Sequence, residues 1–338
     1  MHGLRLFAGL TIAAALMAPF IAALPVRAQT SQQPASPAPI WPARSIRLVV
    51  PFAAGGSTDV VARLVAAGMA GPLGQQVIVE NKAGAGGSTG SADVARSAPD
   101  GYSILVATVS THAINPALYE KLPFDVAGDF TPITHLVDIP NVLLISPQVP
   151  ARTVAELKTY AAAHPGQLNY ASPGVGSVGH LQSHWFANLI GVPMTHVPYR
   201  GAGPAMQDLI SGQVQLMIDN VPTALEQIRA GKVNALLVTS ERRIPQLPDT
   251  PSSVDAGLPR YIGYSWLALL APKATPEAAV QALYAAAKAT LADAQVRARL
   301  EALSATIVGE RPRETAAFLA AEREKWAPVV KETGVRLE

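Results

Sequence analysis

From Ser45 onward, short apolar runs alternate with amphipathic ones. "SIRLVVPF" reads as a buried strand, and "DVVARLVAAGMAGPL" after it carries Val60, Val61, Leu64, Val65 and Gly68 at helical spacing. "QQVIVEN" is a second strand. "AGAGGSTGSADVARSAPDG" is a glycine turn and a helix, stopped by Pro99 and Gly101, and "YSILVATV" is a third strand. This strand–helix rhythm predicts right-handed crossovers and a parallel sheet. "ITHLVDIPNVLLISP" is a longer extended segment, interrupted at Pro140. A second α/β series follows. It opens with helix "TVAELKTYAAAHPG", N-capped by Thr153, then strand "LNYAS" and turn "PGVGSVGH". Helix "HLQSHWFANLIG" turns Leu181, Trp185, Phe186 and Leu189 toward the core. The segments "MTHVPYR", "AGPAMQDLISGQ", "VQLMIDN", "VPTALEQIRAGK" and "VNALLVTS" continue the alternation. "SWLALLAP" is a further strand, and two alanine-rich helices, near 275–292 and 312–332, close the chain.

The expected fold is α/β with two lobes. Residues 41–140 and 265–338 form the first and 141–264 the second, with chain crossings near 138–143 and 262–267. Two crossings make a hinge, and a hinge between lobes makes an interlobe cleft.

The amino terminus changes where the protein is expected to work. Arg5, the apolar run Leu6 to Leu24 and the small residues Val26 and Ala28 have the order of a Sec-type signal peptide, residues 1–28, cleaved before Gln29. "TSQQPASPAP" within residues 29–40 reads as a linker. The chain has 26 Lys and Arg against 24 Asp and Glu; without Arg5 and Arg27 the mature charge is zero. A neutral protein has no electrostatic reason to bind nucleic acid or an acidic membrane. With no cysteine, thiol catalysis and thiolate-held metals are excluded.

The tetrapeptide Gly-Gly-Ser-Thr occurs twice, at Gly55–Thr58 and Gly86–Thr89, each time between a strand and a helix. Both turns are expected at the carboxyl edge of one sheet, where α/β proteins hold ligands. Gly55 and Gly56 allow close approach, the first helical N–H groups are unpaired, and Ser57 and Thr58 add hydroxyls. Ser57 or Thr58 equally suits a helix cap, and both readings stand. No lysine follows the glycines, and Thr89 replaces the third glycine of the dinucleotide pattern, so neither turn is a nucleotide loop. A smaller anion such as a carboxylate fits better. "SPGVGSVGHL" repeats the strand, glycine turn and helix start in the second lobe, with Ser177 as a donor. Thr108 is a neutral donor at the end of the third strand. Arg200 suits either a ligand carboxylate or solvent. Asp219 suits either a ligand ammonium or hydroxyl, or a cap for the next segment. His180 and His184, four residues apart, have no third ligand to make a metal site. An exported enzyme acting on a small acid through Ser177 or His180 is the alternative reading; Val175 spoils its nucleophile-elbow pattern.

Taken in order, "VVPFAAGGSTD", "VENKAGAGGSTG", "APDGYSILVAT", "LNYASPGVGSVGHL", "HVPYRGAGPAMQDLISGQV" and "LAPKATP" resemble the Bug family, the substrate-binding receptors of tripartite tricarboxylate transporters, also called TctC. The resemblance runs from about Trp41 to the C-terminus. It implies a two-lobe periplasmic binding protein of type II, with no catalysis, cofactor or metal. It implies a small carboxylate held by backbone N–H groups, hydroxyls and water at Phe52, Ala54, Gly55, Gly56, Ser57 and Thr58, and at Ser172, Gly174, Gly176, Ser177 and His180. Tyr199, Arg200, Gly201 and Asp219 fall on matching positions, while Asp59, Gly86 and Gly87 are turn residues. The implied partners are membrane permease subunits or a sensor, and the receptor is expected to be a monomer.

Overall fold

A computed structural model describes residues 41–337. In chain order the first elements are β1 (Ile46–Val50), α1 (Ser57–Leu73), β2 (Val77–Asn81), α2 (Ser88–Ala95), β3 (Ser103–Thr108), α3 (Asn115–Leu118) and the long β4 (Phe130–Ile145). Then come α4 (Val154–Ala163), β5 (Asn169–Ser172), α5 (Val178–Ile190), β6 (Thr195–Pro198), α6 (Ala202–Ser211), β7 (Leu216–Asn220), α7 (Val221–Arg229) and β8 (Asn234–Val238). The last are β9 (Tyr264–Pro272), α8 (Glu277–Ala292), α9 (Ala294–Ala302), β10 (Thr306–Ile307) and α10 (Pro312–Thr333).

The strand order is β2-β1-β3-β9-β4-β7-β5-β6, with β8 and β10 also on β4. β1 is parallel to both β2 and β3, and β5 is parallel to both β6 and β7, as the crossover rhythm predicted. β4 belongs to both halves of this sheet. Phe130 to Pro140 pair antiparallel with β9, and Asn141 to Ile145 pair with β7. Pro140 therefore does not interrupt the segment. It stands at the last position paired to β9, where the strand changes partners and a missing N–H is tolerated.

Alternate residues feed opposite faces, so each half has a core on both sides. Leu48 and Val50 face one core and Val49 the other; farther along, Leu143 and Ile145 face one core and Val142 and Leu144 the other. Two expectations about facing fail. Val60 and Leu189 are exposed at 42% and 36%, because the buried stripes run through Val61 and Val65 in α1 and through Phe186 and Ile190 in α5. The carboxyl-terminal region also holds α9 and β10, which the alanine-rich pattern did not separate from α8.

Trp266 of β9 and Trp326 of α10 are both buried, and both indole N–H groups donate to Glu322 Oε2, at 2.8 and 3.1 Å. Lys325 Nζ lies 3.0 Å from Glu322 Oε1. This carboxylate fastens the last helix to the central strand. Glu322→Ala leaves two buried donors unpaired and should lower unfolding stability by about 2–4 kcal/mol, whereas Glu322→Gln should recover about half of that loss. Urea denaturation of the three proteins checks it.

Candidate functional site

A cavity of about 580 Å³ lies between the two halves of the sheet. From the first half it is lined by Phe52 to Ala54, Gly56 to Thr58, Gly84 to Gly87 and Thr108 to Ser110; from the second, by Pro173 to Gly179, Gly201, Ala202, Ile218 to Asn220 and Thr223. Ile139, Asn141, Ser265, Trp266 and Leu267 of the crossing strands complete it. The amino-terminal ends of α1, α5, α6 and α7 all contribute lining residues.

The opening turn is braced from behind. Gly55 is left-handed at φ 87°, and its N–H donates to Asp59 Oδ2 at 2.9 Å. Asp59 also takes Arg63 Nε at 2.9 Å and Asn81 Nδ2 at 2.8 Å. Burial would raise the Asp59 pKa, but these donors hold it below the usual carboxylate range. So Gly55 and Asp59 are not wall residues; they set the loop. The N-cap of α1 is Gly56, which has no side chain to satisfy the first helical N–H groups. Among the described residues, no protein acceptor takes the N–H of Ser57 or Thr58. They are left for whatever the cavity holds.

The second Gly-Gly-Ser-Thr copy also reaches the wall, through Gly86 and Gly87, but its backbone differs. Gly86 and Gly87 are both left-handed, at φ 60° and 91°, whereas Gly56 is at −77°. A Cβ on Gly87 would press on Thr111, Phe52 and Pro51. Asn115 Nδ2 donates to Gly86 O and Ser88 Oγ, each at 3.0 Å, fixing this turn.

The second-half turn is largely self-satisfied. Ser177 Oγ donates to Gly174 O at 2.7 Å and accepts the His180 N–H at 3.2 Å, so it caps α5. Ser172 is buried, with its hydroxyl 2.6 Å from His196 Nε2 and 3.0 Å from Gly174 O. His180 is buried too; its Nδ1 accepts the Gly176 N–H at 3.2 Å and its ring stacks on His196 at 3.8 Å. Burial first, then the neighbouring histidines, push the His180 pKa down to about 3, and burial with His184 pushes that of His196 to about 4. Both rings are neutral at physiological pH. Gly201 N–H donates to Pro173 O at 3.0 Å and ties α6 to the same turn.

Several expected site residues thus stand apart from the wall. Ser172 and His180 prop the turn from beneath. Tyr199 donates its hydroxyl to Asp208 Oδ2 at 2.6 Å, and Arg200 is exposed. The Ser177 hydroxyl reaches the His180 backbone and not its ring, so the pairing needed for a nucleophile does not form. Phe52, Ala54, Gly56, Ser57, Thr58, Thr108, Gly174, Gly176, Ser177, Gly201 and Asp219 do meet at one cavity. Asn141, Ser265 and Trp266 were missed. Asn141 had a signal, as the one amide in the run "IPNVLLI"; Ser265 and Trp266 had none. Asn141 Nδ2 donates to Gln182 Oε1 at 3.0 Å, and its Oδ1 accepts Ser265 Oγ at 3.0 Å, joining the crossing strands to α5.

Asn220 spans the cavity: its Nδ2 donates to Ser57 Oγ at 2.8 Å, while its buried Oδ1 has no partner. Beside it, Asp219 Oδ1 accepts the Asn220 N–H at 2.8 Å. Burial raises the Asp219 pKa to about 6, against the lowering hydrogen bonds from Thr223 and Asn220.

The family model for the tripartite tricarboxylate transporter family receptor matches residues 61–335. The chain belongs to that family. Protein BugT of Bordetella pertussis is 37% identical over 299 residues, which span 88% of this chain and 92% of BugT. MatC from Rhodopseudomonas palustris with bound malate is 40% identical at a TM-score of 0.78, with 86% of this chain and all of that one covered. An R. palustris protein with adipate is 36% identical at a TM-score of 0.81, over 88% of this chain and 99% of that one. The architecture is that of a type II periplasmic binding protein, and the receptor family assigns a periplasmic location and binding without turnover. The residues read as signal peptide and linker lie outside those described.

Two predictions follow from the wall. Gly176 is left-handed at φ 77°, and a Cβ there would overlap Leu118. Gly176→Ala should therefore destabilise the protein by about 1–3 kcal/mol in chemical denaturation. Because the folded Asp219 pKa lies above its ordinary 3.8, the folded state binds the proton more tightly than the unfolded. That stability is present below pH 3.8 and is lost as pH rises through about 6. Asp219→Asn should accordingly raise the melting temperature of the ligand-free protein at pH 8 and leave it nearly unchanged at pH 4.

Proposed function

We propose that this cavity is the solute site of the receptor and that it takes a small carboxylate. The observation that carries the reading is its lining: helix amino-termini from both halves, with unpaired N–H groups at Ser57 and Thr58, and no Lys, Arg or His among the described lining residues. Helix ends supply partial positive charge that holds an anion without the full charge of an ammonium or guanidinium. A modest hold suits a receptor that must release its cargo. Malate in MatC and adipate in the R. palustris protein support the same ligand class.

In this reading residues 41–140 with 265–338, and 141–264, are lobes that hinge at the crossings, and the acid bridges the first turn and the Gly174–Ser177 turn. Closure presents a joint surface of both lobes to the permease of a tripartite tricarboxylate transporter, or to a sensor. The receptor acts as a monomer, exported by its leader and cleaved after Ala28, and it carries no cofactor or nucleic acid.

A panel of mono-, di- and tricarboxylates, followed by melting temperature and calorimetry, tests this. At least one acid should bind saturably, raise the melting temperature and remain chemically unchanged. Asn220→Ala should weaken that acid by about tenfold, the loss of one cross-cavity hydrogen bond. Absence of binding across the panel, or consumption of the acid, would sink the proposal.

A further inference from the structure

Asp219 is the only ionisable side chain among the described residues that line the cavity. A carboxyl group is an unexpected occupant of a site that attracts anions. Nothing on the neighbouring elements neutralises it. On α5, His180 is turned into its own stack and His184 bonds Asn188. On α6, Asp208 holds Tyr199. On α7, Glu226 and Arg229 are exposed and outside the lining. The paired strand β4 brings an apolar and an amide residue to this end of β7, Val142 opposite Asp219 and Asn141 opposite Asn220, while β5 pairs only with Leu216 and Met217 farther back. The carboxyl group already accepts the Asn220 N–H, and the nearby neutral Thr223 hydroxyl, which donates to Asn220 O at 2.8 Å, adds no charge to balance it. The group is nearly buried, at 9% exposure, and what remains of it opens on the cavity.

We propose that Asp219 selects solutes bearing a hydrogen-bond donor, a hydroxyl or an ammonium, in addition to the carboxylate held by the helix ends. An ionised carboxyl in a confined, weakly hydrated space repels a second carboxylate and leaves an apolar carbon with an unpaired acceptor beside it. A hydroxyl or ammonium meets both demands at once, since each supplies a proton to the acceptor. A plain dicarboxylate then fits only when a proton is added, either on Asp219 or on the acid, so its binding should take up protons. The carboxyl's elevated proton affinity puts that exchange near neutral pH. This inference rests on the cavity being the solute site, and it adds which acids the site admits.

Matched pairs separate the two. Malate and succinate, lactate and propionate, and aspartate and succinate each differ at one donor. For a pair whose members bind, calorimetry at pH 8 should favour the donor-bearing acid by about tenfold or more, as expected where a buried acceptor would otherwise go unpaired. At pH 5 the preference over succinate should shrink, and succinate binding at pH 7 should give a heat that varies with buffer ionisation enthalpy. In Asp219→Asn the preference should fall to about threefold or less at both pH values, because a neutral amide can donate as well as accept. Equal affinity within the pairs at pH 8, or a preference unchanged in Asp219→Asn, overturns the selection while leaving a carboxylate receptor intact. If no member of any pair binds to the mature wild-type protein, the selection falls, and the solute site falls with it when the wider carboxylate panel is silent as well.

Discussion

The passage of β4 from one half of the sheet to the other governs the rest of the molecule. Up to Pro140 the strand is bound to β9, and from Asn141 onward it is bound to β7 and β8. Because one continuous backbone serves both halves, their positions are tied at that point and the glycine turns after β1, β2 and β5 open on a common space. Asn141 secures the crossing with its whole amide: Nδ2 to Gln182 and Gly263, Oδ1 from Ser265. Glu322 secures the second crossing strand by holding the Trp266 indole.

The electrostatics of the cavity are those of dipoles and not of fixed cations. The two acids near its wall play opposite parts. Asp59 sits behind the first turn and receives Arg63, Asn81 and Gly55, and these donors hold its pKa below the ordinary value against the effect of burial. Asp219 faces the cavity with one backbone donor and no cation, and its proton affinity is raised. Their difference is one of environment alone, since the residue type is the same. The turn that Asp59 braces leaves its N–H groups open, while the turn over His180 and Ser172 satisfies most of its own. The two halves of the site are therefore braced differently: an ionised carboxylate stands behind the first turn and neutral side chains stand beneath the second.

Much of the fold was legible because its signals are local. Periodicity marked the strands and helices, and glycine turns between them marked the sheet's carboxyl edge. The errors were of facing and partnership. Leu189 and Val60 fit a helical stripe by spacing, yet neighbouring residues took the core, since spacing alone leaves the stripe's rotation free by one position. Pro140 looked like a break because a proline interrupts a strand whose partner continues; here the partner changes.

By itself the sequence determined an α/β chain with anion-type turns lacking a cation, because glycines, caps and charges are properties of residues and their near neighbours. Only the tertiary structure decided which donors remain free. Ser177, Ser172, His180 and Tyr199 are all polar residues near a turn, but each is occupied by a partner: Gly174, His196, Gly176 and Asp208. Asn220 reaches Ser57 across 163 residues of chain, and Asn141 reaches Gln182 and Ser265 from a strand that read as plain core. A hydrogen-bonding group's availability depends on everything packed around it, and that is settled when distant segments meet, not along the chain.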